Sequence, residues 1–274
     1  MTRKNKIGVF FIGIITFLYF KWENDPCIIQ PLANISSSKH SSFNISSSNS
    51  CDLPVGARWA TTSTVIGDLP IAIYNTNDIV SRNVYRWEHA LSVKLLKRVM
   101  PGDVVVDVGA NIGVHTVRAA AKGARVIAVE AMENNVKLLR ATACKNKHLD
   151  ITIFPVAIGS SRGTCSLYSG SINVGDCHLI CEGENPPPPK GNEIYELRGT
   201  TEVRLATDII PDDTIALKVD IEGAECGVFK GLNNAPPTIV SETTWTKSMI
   251  CVNDFAQLHG CEKTKMSGDT YLQC

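Results

Sequence analysis

The sequence lacks net charge, because its 27 Lys and Arg residues balance 27 Asp and Glu residues. Proteins that bind polyanions depend on many Lys and Arg contacts to phosphates. The composition therefore argues against a general polyanion binder, and we expect no nucleic-acid partner. Hydrophobic residues make up 44% of the chain and charged residues 20%, which excludes wholesale disorder. The length of 274 residues fits one generous domain or two small ones.

Acidic residues are missing before Glu23, while basic residues lie on both sides of the uncharged run Ile7–Phe20. These 14 residues are short for a spanning helix, which needs about 17–25, and no small-residue cleavage site follows them. The positive-inside rule places the basic N-terminus in the cytoplasm. We predict that residues 1–22 form a cytoplasmic tail and an uncleaved signal anchor. A cleaved signal peptide and an organelle transit sequence remain alternatives.

Hydrophobic periodicity is missing from residues 23–55, where Ser36–Ser50 contains nine serines. This composition predicts a flexible stem, and glycosylation sequons begin in it at Asn34 and Asn44. The ten cysteines of the chain indicate an oxidising compartment. We therefore predict a single-pass type II membrane glycoprotein of the Golgi or ER, with residues 56–274 as its lumenal domain.

Strands and helices alternate along that domain, which is the pattern of a mostly parallel α/β sheet with helices on both faces. The predicted strands are Val104–Val106, Arg125–Val129, Ile151–Val156, Ile215–Asp220 and Pro237–Ser241. A hairpin with its turn at Gly67-Asp68 and a helix over Glu88–Val99 are expected before them. Strands at Thr164–Tyr168 and Glu202–Leu205 are expected to flank a long insertion, Ser169–Thr201, which contains Pro186–Pro189.

A glycine-rich turn, Asp107–Gly113, follows the first of these parallel strands and precedes a helix. Such a turn lets a ligand approach the backbone N–H groups at the helix start. Glu130 ends the second strand, 21 residues after Gly109, where an acid can accept both ribose hydroxyls. A nucleotide-like ligand is therefore expected at the carboxyl ends of the strands.

The turn lacks the middle glycine of the dinucleotide fingerprint, which makes room for a pyrophosphate. Asn111 takes its place and suits a ligand with an amino-acid carboxylate, so we predict S-adenosylmethionine rather than NAD. Ala157 and Gly159, which follow the third predicted strand, are small and leave room for an adenine ring. The predicted cofactor-binding residues are Asp107, Gly109, Asn111, Gly113, Thr116, Glu130 and Ala157.

Four ionisable residues crowd the carboxyl end of the fourth strand, namely Lys218, Asp220, Glu222 and Glu225. Burial of unpaired charge is costly, so this cluster indicates a functional role, with an internal Lys–carboxylate pair as the alternative. We predict Asp220 or Glu222 as the base that deprotonates an acceptor, with Lys218 orienting them or stabilising the oxyanion. No metal site is assigned, because no His joins the cluster. A divalent cation that acidifies a hydroxyl group of the acceptor remains an alternative. His115 is expected to be a pocket or core residue.

Several segments resemble the FkbM family of S-adenosylmethionine-dependent methyltransferases. The most specific are D-V-G-A-N-I-G at Asp107–Gly113 and K-V-D-I-E-G-A-E at Lys218–Glu225, and the resemblance extends over about residues 78–242. It implies a class I, Rossmann-like methyltransferase fold and transfer to a hydroxyl oxygen. The C-terminus looks short for the closing strands of this family, so we expect those strands to be truncated.

These observations predict a membrane-anchored O-methyltransferase with a small-molecule or glycan acceptor, most simply a neutral carbohydrate hydroxyl. The first alternative is a lumenal binding protein that keeps the fold without transferring methyl groups. The second is an NAD-dependent oxidoreductase, which Asn111 disfavours. The oligomeric state is not predicted.

The C-x-x-x-C segment Cys177–Cys181 is a weak zinc signal, because no second Cys/His pair lies at zinc spacing. Disulfides are expected instead, with connectivity that the sequence does not specify. The candidates are Cys165, Cys177, Cys181, Cys251, Cys261 and Cys274. Cys144 and Cys226 lie on predicted helices and are expected to be free core thiols.

Overall fold

The computed structural model describes residues 51–76, 78–170, 173, 175, 177–186 and 194–274. The predicted anchor, both sequons and most of the polyproline segment lie outside these residues. Within the described residues, no helix is long and apolar enough to cross a membrane.

The first elements are an antiparallel hairpin and two short helices. The hairpin consists of β1 (Ala57–Thr64) and β2 (Gly67–Tyr74), so its turn lies at Val65-Ile66, two residues before the predicted position. Helix α1 (Ile79–Asn83) follows. Helix α2 (His89–Leu95) confirms the next predicted helix but is shorter than expected.

A seven-stranded sheet forms the centre of the fold. Its strands in chain order are β3 (Val104–Val108), β4 (Arg125–Val129), β5 (Ile151–Phe154), β10 (Thr214–Val219), β11 (Thr238–Glu242), β12 (Glu262–Met266) and β13 (Asp269–Gln273). Across the sheet they are ordered β12-β13-β11-β10-β3-β4-β5. The first five are mutually parallel and β13 runs antiparallel to β11, which confirms the expected mostly parallel sheet.

Helices cover both faces of this sheet, because its inner strands are apolar on both sides. All residues of β3 are buried; Val106 packs in the core that contains residues of α5 (Glu225–Gly231) and α6 (Thr246–His259). Val105 packs in the opposite core with α2 and α3 (Val114–Ala121). Helix α4 (Glu133–Lys145) packs against β2 and β5.

The predicted insertion Ser169–Thr201 is wrong in part, because it contains strands of a second sheet. This four-stranded sheet comprises β6 (Ala157–Ile158), β7 (Gly163–Ser169), β8 (Cys177–Ile180) and β9 (Glu196–Arg204), in the order β6-β9-β7-β8. Most of β9 is exposed, so it lacks the alternation of buried residues on which strand prediction depends.

The prediction of truncated closing strands is also wrong, because β12 and β13 form a complete antiparallel hairpin at the sheet edge. Four of the five residues of β12, Glu262–Lys265, are exposed. Charged residues are typical of an edge strand, where they discourage pairing with other chains. Because β12 is polar and lacks an apolar alternation, the sequence pattern did not predict it.

Four disulfides lie within the described residues: Cys51–Cys144, Cys165–Cys181, Cys226–Cys251 and Cys261–Cys274. The prediction that Cys144 and Cys226 are free thiols is therefore wrong, because each meets a partner that only the fold brings close. The four bonds do not include Cys177, whose thiol lies 3.0 Å from the sulfur of Met132.

Loss of the Cys51–Cys144 disulfide, by replacement of both cysteines with serine, is expected to lower the free energy of unfolding by about 3 kcal/mol. The bond joins residues 93 positions apart, and long loops constrain the unfolded chain most. Loss of Cys261–Cys274, with a separation of 13, should cost about 1–2 kcal/mol less. Urea denaturation under non-reducing conditions measures both costs, and equal or reversed costs would contradict this explanation.

Candidate active site

A cavity of about 700 Å³ opens at the carboxyl ends of the parallel strands. It is lined by the segments that follow β3, β4, β10 and β11 and by the turn between β12 and β13. Open α/β sheets bind ligands at this edge, and the volume lies within the range of small-molecule sites, roughly 300–1,000 Å³.

The glycine-rich turn packs directly against the end of β10. Gly109 has φ +80°, and a Cβ there would lie 1.8 Å from the backbone oxygen of Asp220, so no side chain fits. Asn111 also has positive φ, 51°, which Asn tolerates better than most residues. Its side-chain oxygen accepts the N–H of Ile112 at 2.7 Å. The turn is therefore held closely against two neighbouring strands.

Glu130 is fixed on the cavity wall by backbone groups. Its Oε2 accepts the N–H of Asn111 at 2.7 Å, and its Oε1 accepts the N–H of Met132 at 2.8 Å. Burial raises the pKa of Glu130, and these hydrogen bonds, together with one from the Asn135 side chain, oppose the rise. A carboxylate has about four acceptor positions, so Glu130 can still accept from a ligand in the cavity and is oriented to do so.

The cavity also has an apolar part. Ala131 and Ala157 pack in one cluster with Leu179 of β8, and all three line the cavity together with Val156 and Ile158. A planar ring fits a slot lined by such small and aliphatic side chains, and Glu130 supplies polar acceptors in the same cavity.

Three of the predicted cofactor residues, Asp107, Gly113 and Thr116, do not belong to the cavity lining. Asp107 is 2% exposed and accepts a hydrogen bond from the fully buried Thr116 hydroxyl at 2.7 Å. Gly113 lies against Leu139, which a Cβ would approach to 2.4 Å. These three residues therefore pack behind the turn, on the side away from the cavity. Gly109, Asn111, Glu130 and Ala157 line the cavity itself.

A buried ammonium group connects β3 with β10. Lys218 Nζ donates to the backbone oxygen of Gly109 at 3.0 Å and lies 3.3 Å from Asp220 and 3.5 Å from Asp107. Burial by itself would lower the pKa of Lys218, but Asp220 and Asp107 outweigh it and raise the pKa. The Lys–carboxylate pair that the sequence left as an alternative is thus present, and Lys218 and Asp220 both line the cavity.

Glu225 holds the loop that carries Glu222. It is fully buried, and one carboxylate oxygen accepts the N–H groups of Ile221 at 3.0 Å and Gly223 at 3.2 Å. The other oxygen accepts the hydroxyl of Ser248. Glu222 has φ 52° and lines the cavity. Of the four clustered ionisable residues, Glu225 therefore acts on the backbone rather than on a ligand.

Sequence reasoning did not assign three further acids of the cavity wall, Glu88, Glu242 and Asp269. Glu88 accepts a hydrogen bond from His115 at 2.9 Å, and His115 lines the cavity as expected of a pocket residue. The sequence carried a signal for two of them, because Glu88 lies within the FkbM resemblance at about residues 78–242 and Glu242 directly follows the predicted strand Pro237–Ser241. Asp269 gave no signal, because its strand was not predicted.

Three of the wall acids, Asp220, Glu222 and Glu242, each offer an oxygen within 4.8 Å of the others. Divalent cations favour such oxygen ligands. Acidic groups at this spacing are also common without a cation, so the cluster by itself does not indicate a metal centre.

Asp269 stands at the start of β13 and is half-buried. Burial and the negative charges of Glu88 and Asp220 raise its pKa to about 7, and Lys218 and Lys265 partly offset them. A carboxyl group with such a pKa can exchange protons near neutral pH.

Several solved methyltransferases have a similar fold. A 16S rRNA N2 G1207 methyltransferase of Thermus thermophilus has a TM-score of 0.44 and 16% identity, over 81% of this chain and 51% of that one. A SAM-dependent O-methyltransferase of Thermotoga maritima has a TM-score of 0.40 and 12% identity, over 76% of this chain and 66% of that one. A precorrin-6y C5,15-methyltransferase of Geobacter metallireducens has a TM-score of 0.37 and 15% identity, over 67% of this chain and 84% of that one. Such scores do not indicate a shared substrate, and no curated protein matches the sequence significantly.

The family comparison is more specific. Residues 107–259 match the model of the methyltransferase FkbM domain. The matched segment begins at the glycine-rich turn and includes Glu130, Lys218 and Asp220, the residues that surround the cavity. Because the match covers more than half of the chain, this protein is a methyltransferase and belongs to the FkbM family.

Proposed function

We propose that this protein is an S-adenosylmethionine-dependent O-methyltransferase whose acceptor is a hydroxyl group of a lumenal glycan. The observation that carries the cofactor assignment is Glu130, held by two backbone N–H groups on the wall of a cavity with an apolar slot. The acceptor and the compartment rest on sequence features and on the disulfides.

The donor set of the cavity fits S-adenosylmethionine. Glu130 would accept the ribose hydroxyls, and the slot at Ala131 and Ala157 would hold the adenine ring. Asn111 and the turn around it would face the amino-acid portion. When bound, this cofactor supplies a methyl group on a positively charged sulfur. The protein has to hold the acceptor in line with that group, and alignment can contribute several kcal/mol.

A hydroxyl acceptor also requires removal of a proton, which a nearby carboxylate can perform. Asp220 and Glu222 line the cavity, in keeping with their proposed roles as candidate bases. The 3.3 Å contact between Lys218 and Asp220 supports an orienting role for Lys218, because its donors already meet Gly109 and two carboxylates.

The four disulfides support an oxidising compartment, because such bonds rarely persist in the cytosol. Together with the apolar run Ile7–Phe20, they favour a single-pass protein whose enzyme domain lies in the lumen of the Golgi or ER. Glycosidase digestion and protease protection of the full chain in intact microsomes test this topology. Cleavage beyond the short basic tail would contradict it.

Replacement of Glu130 by glutamine is expected to weaken S-adenosylmethionine binding about 10–100-fold. The amide loses charge-assisted hydrogen bonds worth roughly 1.5–3 kcal/mol and turns an N–H₂ group toward a backbone N–H. Isothermal titration calorimetry of the full chain measures the change. Glu133→Gln is the matched control, because Glu133 is exposed and pairs with Lys137 on the surface of α4.

Three outcomes would contradict the proposal. Equal affinity of the Glu130→Gln variant and the wild type would remove the cofactor assignment. Tighter binding of NAD than of S-adenosylmethionine by the wild type would favour an oxidoreductase instead. Cofactor binding without any methylated product in glycan or metabolite mass spectra would favour a binding protein.

A further inference from the structure

The cavity extends along the edge of the central sheet from Glu130 to Asp269. Glu130 follows β4 and Asp269 begins β13, with β3, β10 and β11 between these strands. Four inter-strand spacings correspond to roughly 19 Å. Since Glu130 marks the cofactor half of the cavity, Asp269 lies in the acceptor half. Asp220, which follows β10, lies between them.

The Asp269 carboxylate faces this acceptor half without an internal partner. Within the part of the chain that the structure describes, it accepts no hydrogen bond and forms no ion pair. Its backbone pairs with Glu242 of β11, so the strand holds its position. A carboxylate placed in this way is available to a ligand.

The other candidate bases are engaged. Asp220 lies 3.3 Å from the buried Lys218 ammonium. Glu222 accepts the indole N–H of Trp245 at 3.4 Å. In contrast to both, the carboxylate of Asp269 keeps its acceptor positions available to a ligand.

The charges around Asp269 come from several elements. Glu88 precedes α2 and Asp220 follows β10, and both are negative; Lys218 of β10 and Lys265 of β12 are positive. Glu242 of β11 lies beside it in the strand pairing. Burial and the two negative neighbours prevail and raise the pKa of Asp269 to about 7. Carboxyl groups whose environments separate their proton affinities commonly divide acid and base roles.

We propose that Asp269 is the catalytic base that takes the proton of the acceptor hydroxyl. This inference rests on the proposed O-methyl transfer. As the hydroxyl O–H bond breaks, its proton passes to Asp269 and the oxygen forms the new bond to the methyl carbon. The electron pair of the carbon–sulfur bond stays with sulfur. Release of the proton to solvent then restores the carboxylate.

The test uses the full-length chain and the variants Asp269→Asn and Asp213→Asn. Asp213 is a matched control because its side chain is 67% exposed and does not line the cavity. Infrared titration detects protonated carboxyl groups, and calorimetry measures S-adenosylmethionine binding. Permeabilised microsomes that contain the chain, supplied with methyl-tritiated S-adenosylmethionine, report transfer to endogenous acceptors as a function of pH.

We expect a carboxyl group that titrates near pH 7 in the wild type and in Asp213→Asn but not in Asp269→Asn. The transfer rate should rise with pH up to about 7 and then level off, because the carboxylate form is the base. In Asp269→Asn the rate should fall about 10²–10⁴-fold and lose this inflection. Its cofactor affinity should stay within about twofold, because Asp269 lies outside the cofactor half.

The outcomes separate this inference from the proposed function. If the wild type binds S-adenosylmethionine and Asp269→Asn keeps the wild-type rate and inflection, the inference on Asp269 is wrong and the proposed function stands. A carboxyl at position 269 that titrates near pH 4 would also overturn it. If the wild type neither binds the cofactor nor transfers label, the proposed function fails and the inference fails with it.

Discussion

Replacement of Gly109 by alanine is expected to lower the free energy of unfolding by about 4 kcal/mol or more. The new Cβ would lie 1.8 Å from the backbone oxygen of Asp220, so β3 and β10 would have to separate. The residue would also keep φ +80°, which costs an alanine about 1–2 kcal/mol. Urea denaturation followed by circular dichroism measures the loss, and it should extend to cofactor binding because Gly109 lines the cavity.

Gly163→Ala is the control for this substitution. Gly163 begins β7, and a Cβ there would meet no atom within 4 Å, so we expect a change of less than about 1 kcal/mol. Similar stabilities of the two variants would show that the close approach of β3 to the end of β10 is not rigid.

Replacement of Lys218 by methionine is expected to cost about 3–5 kcal/mol, because it leaves two carboxylates near the core without their ammonium partner. Asp107 is 2% exposed, so its charge would remain buried beside that of Asp220. Urea denaturation at pH 7, followed by circular dichroism, measures the loss.

Lys230→Met is the matched control, because Lys230 is exposed in the last turn of α5. Its effect on the free energy of unfolding should lie within about 0.5 kcal/mol. A loss for Lys218→Met as small as that for Lys230→Met would contradict the described ion pairs.

Much of the site could be predicted from local sequence. The turn Asp107–Gly113, the acid Glu130 at the end of the next strand and the charges at Lys218–Glu225 all occur at short, readable spacings beside apolar runs. Buried parallel strands have to be β-branched and apolar, so polar residues that interrupt them stand out. For the same reason the parallel arrangement of the inner strands and the helices on both faces followed from the pattern.

The roles of these residues within the site could not be predicted in the same way. Asp107 and Thr116 were expected to bind the cofactor, yet they lie beneath the turn and bond to each other. Glu225 was counted with the functional charges, yet it holds the backbone of the neighbouring loop. A carboxylate bonds as readily to backbone N–H groups as to a ligand, and only the tertiary structure decides which group it meets.

The sequence by itself determined the parallel core, the ligand-binding edge and the family of this protein, because those features depend on local periodicity and on contiguous motifs. Only the tertiary structure decided the partners of Cys144 and Cys226, the second sheet, the closing hairpin and the position of Asp269. The partners of Cys144 and Cys226 lie 93 and 25 positions away in the chain. The second sheet and the closing hairpin contain exposed strands, β9 and β12, whose polar residues show no period. The charge balance of the whole chain also gave no sign of the acids that line one wall of the cavity, because that wall forms only where β10, β11 and β13 come together.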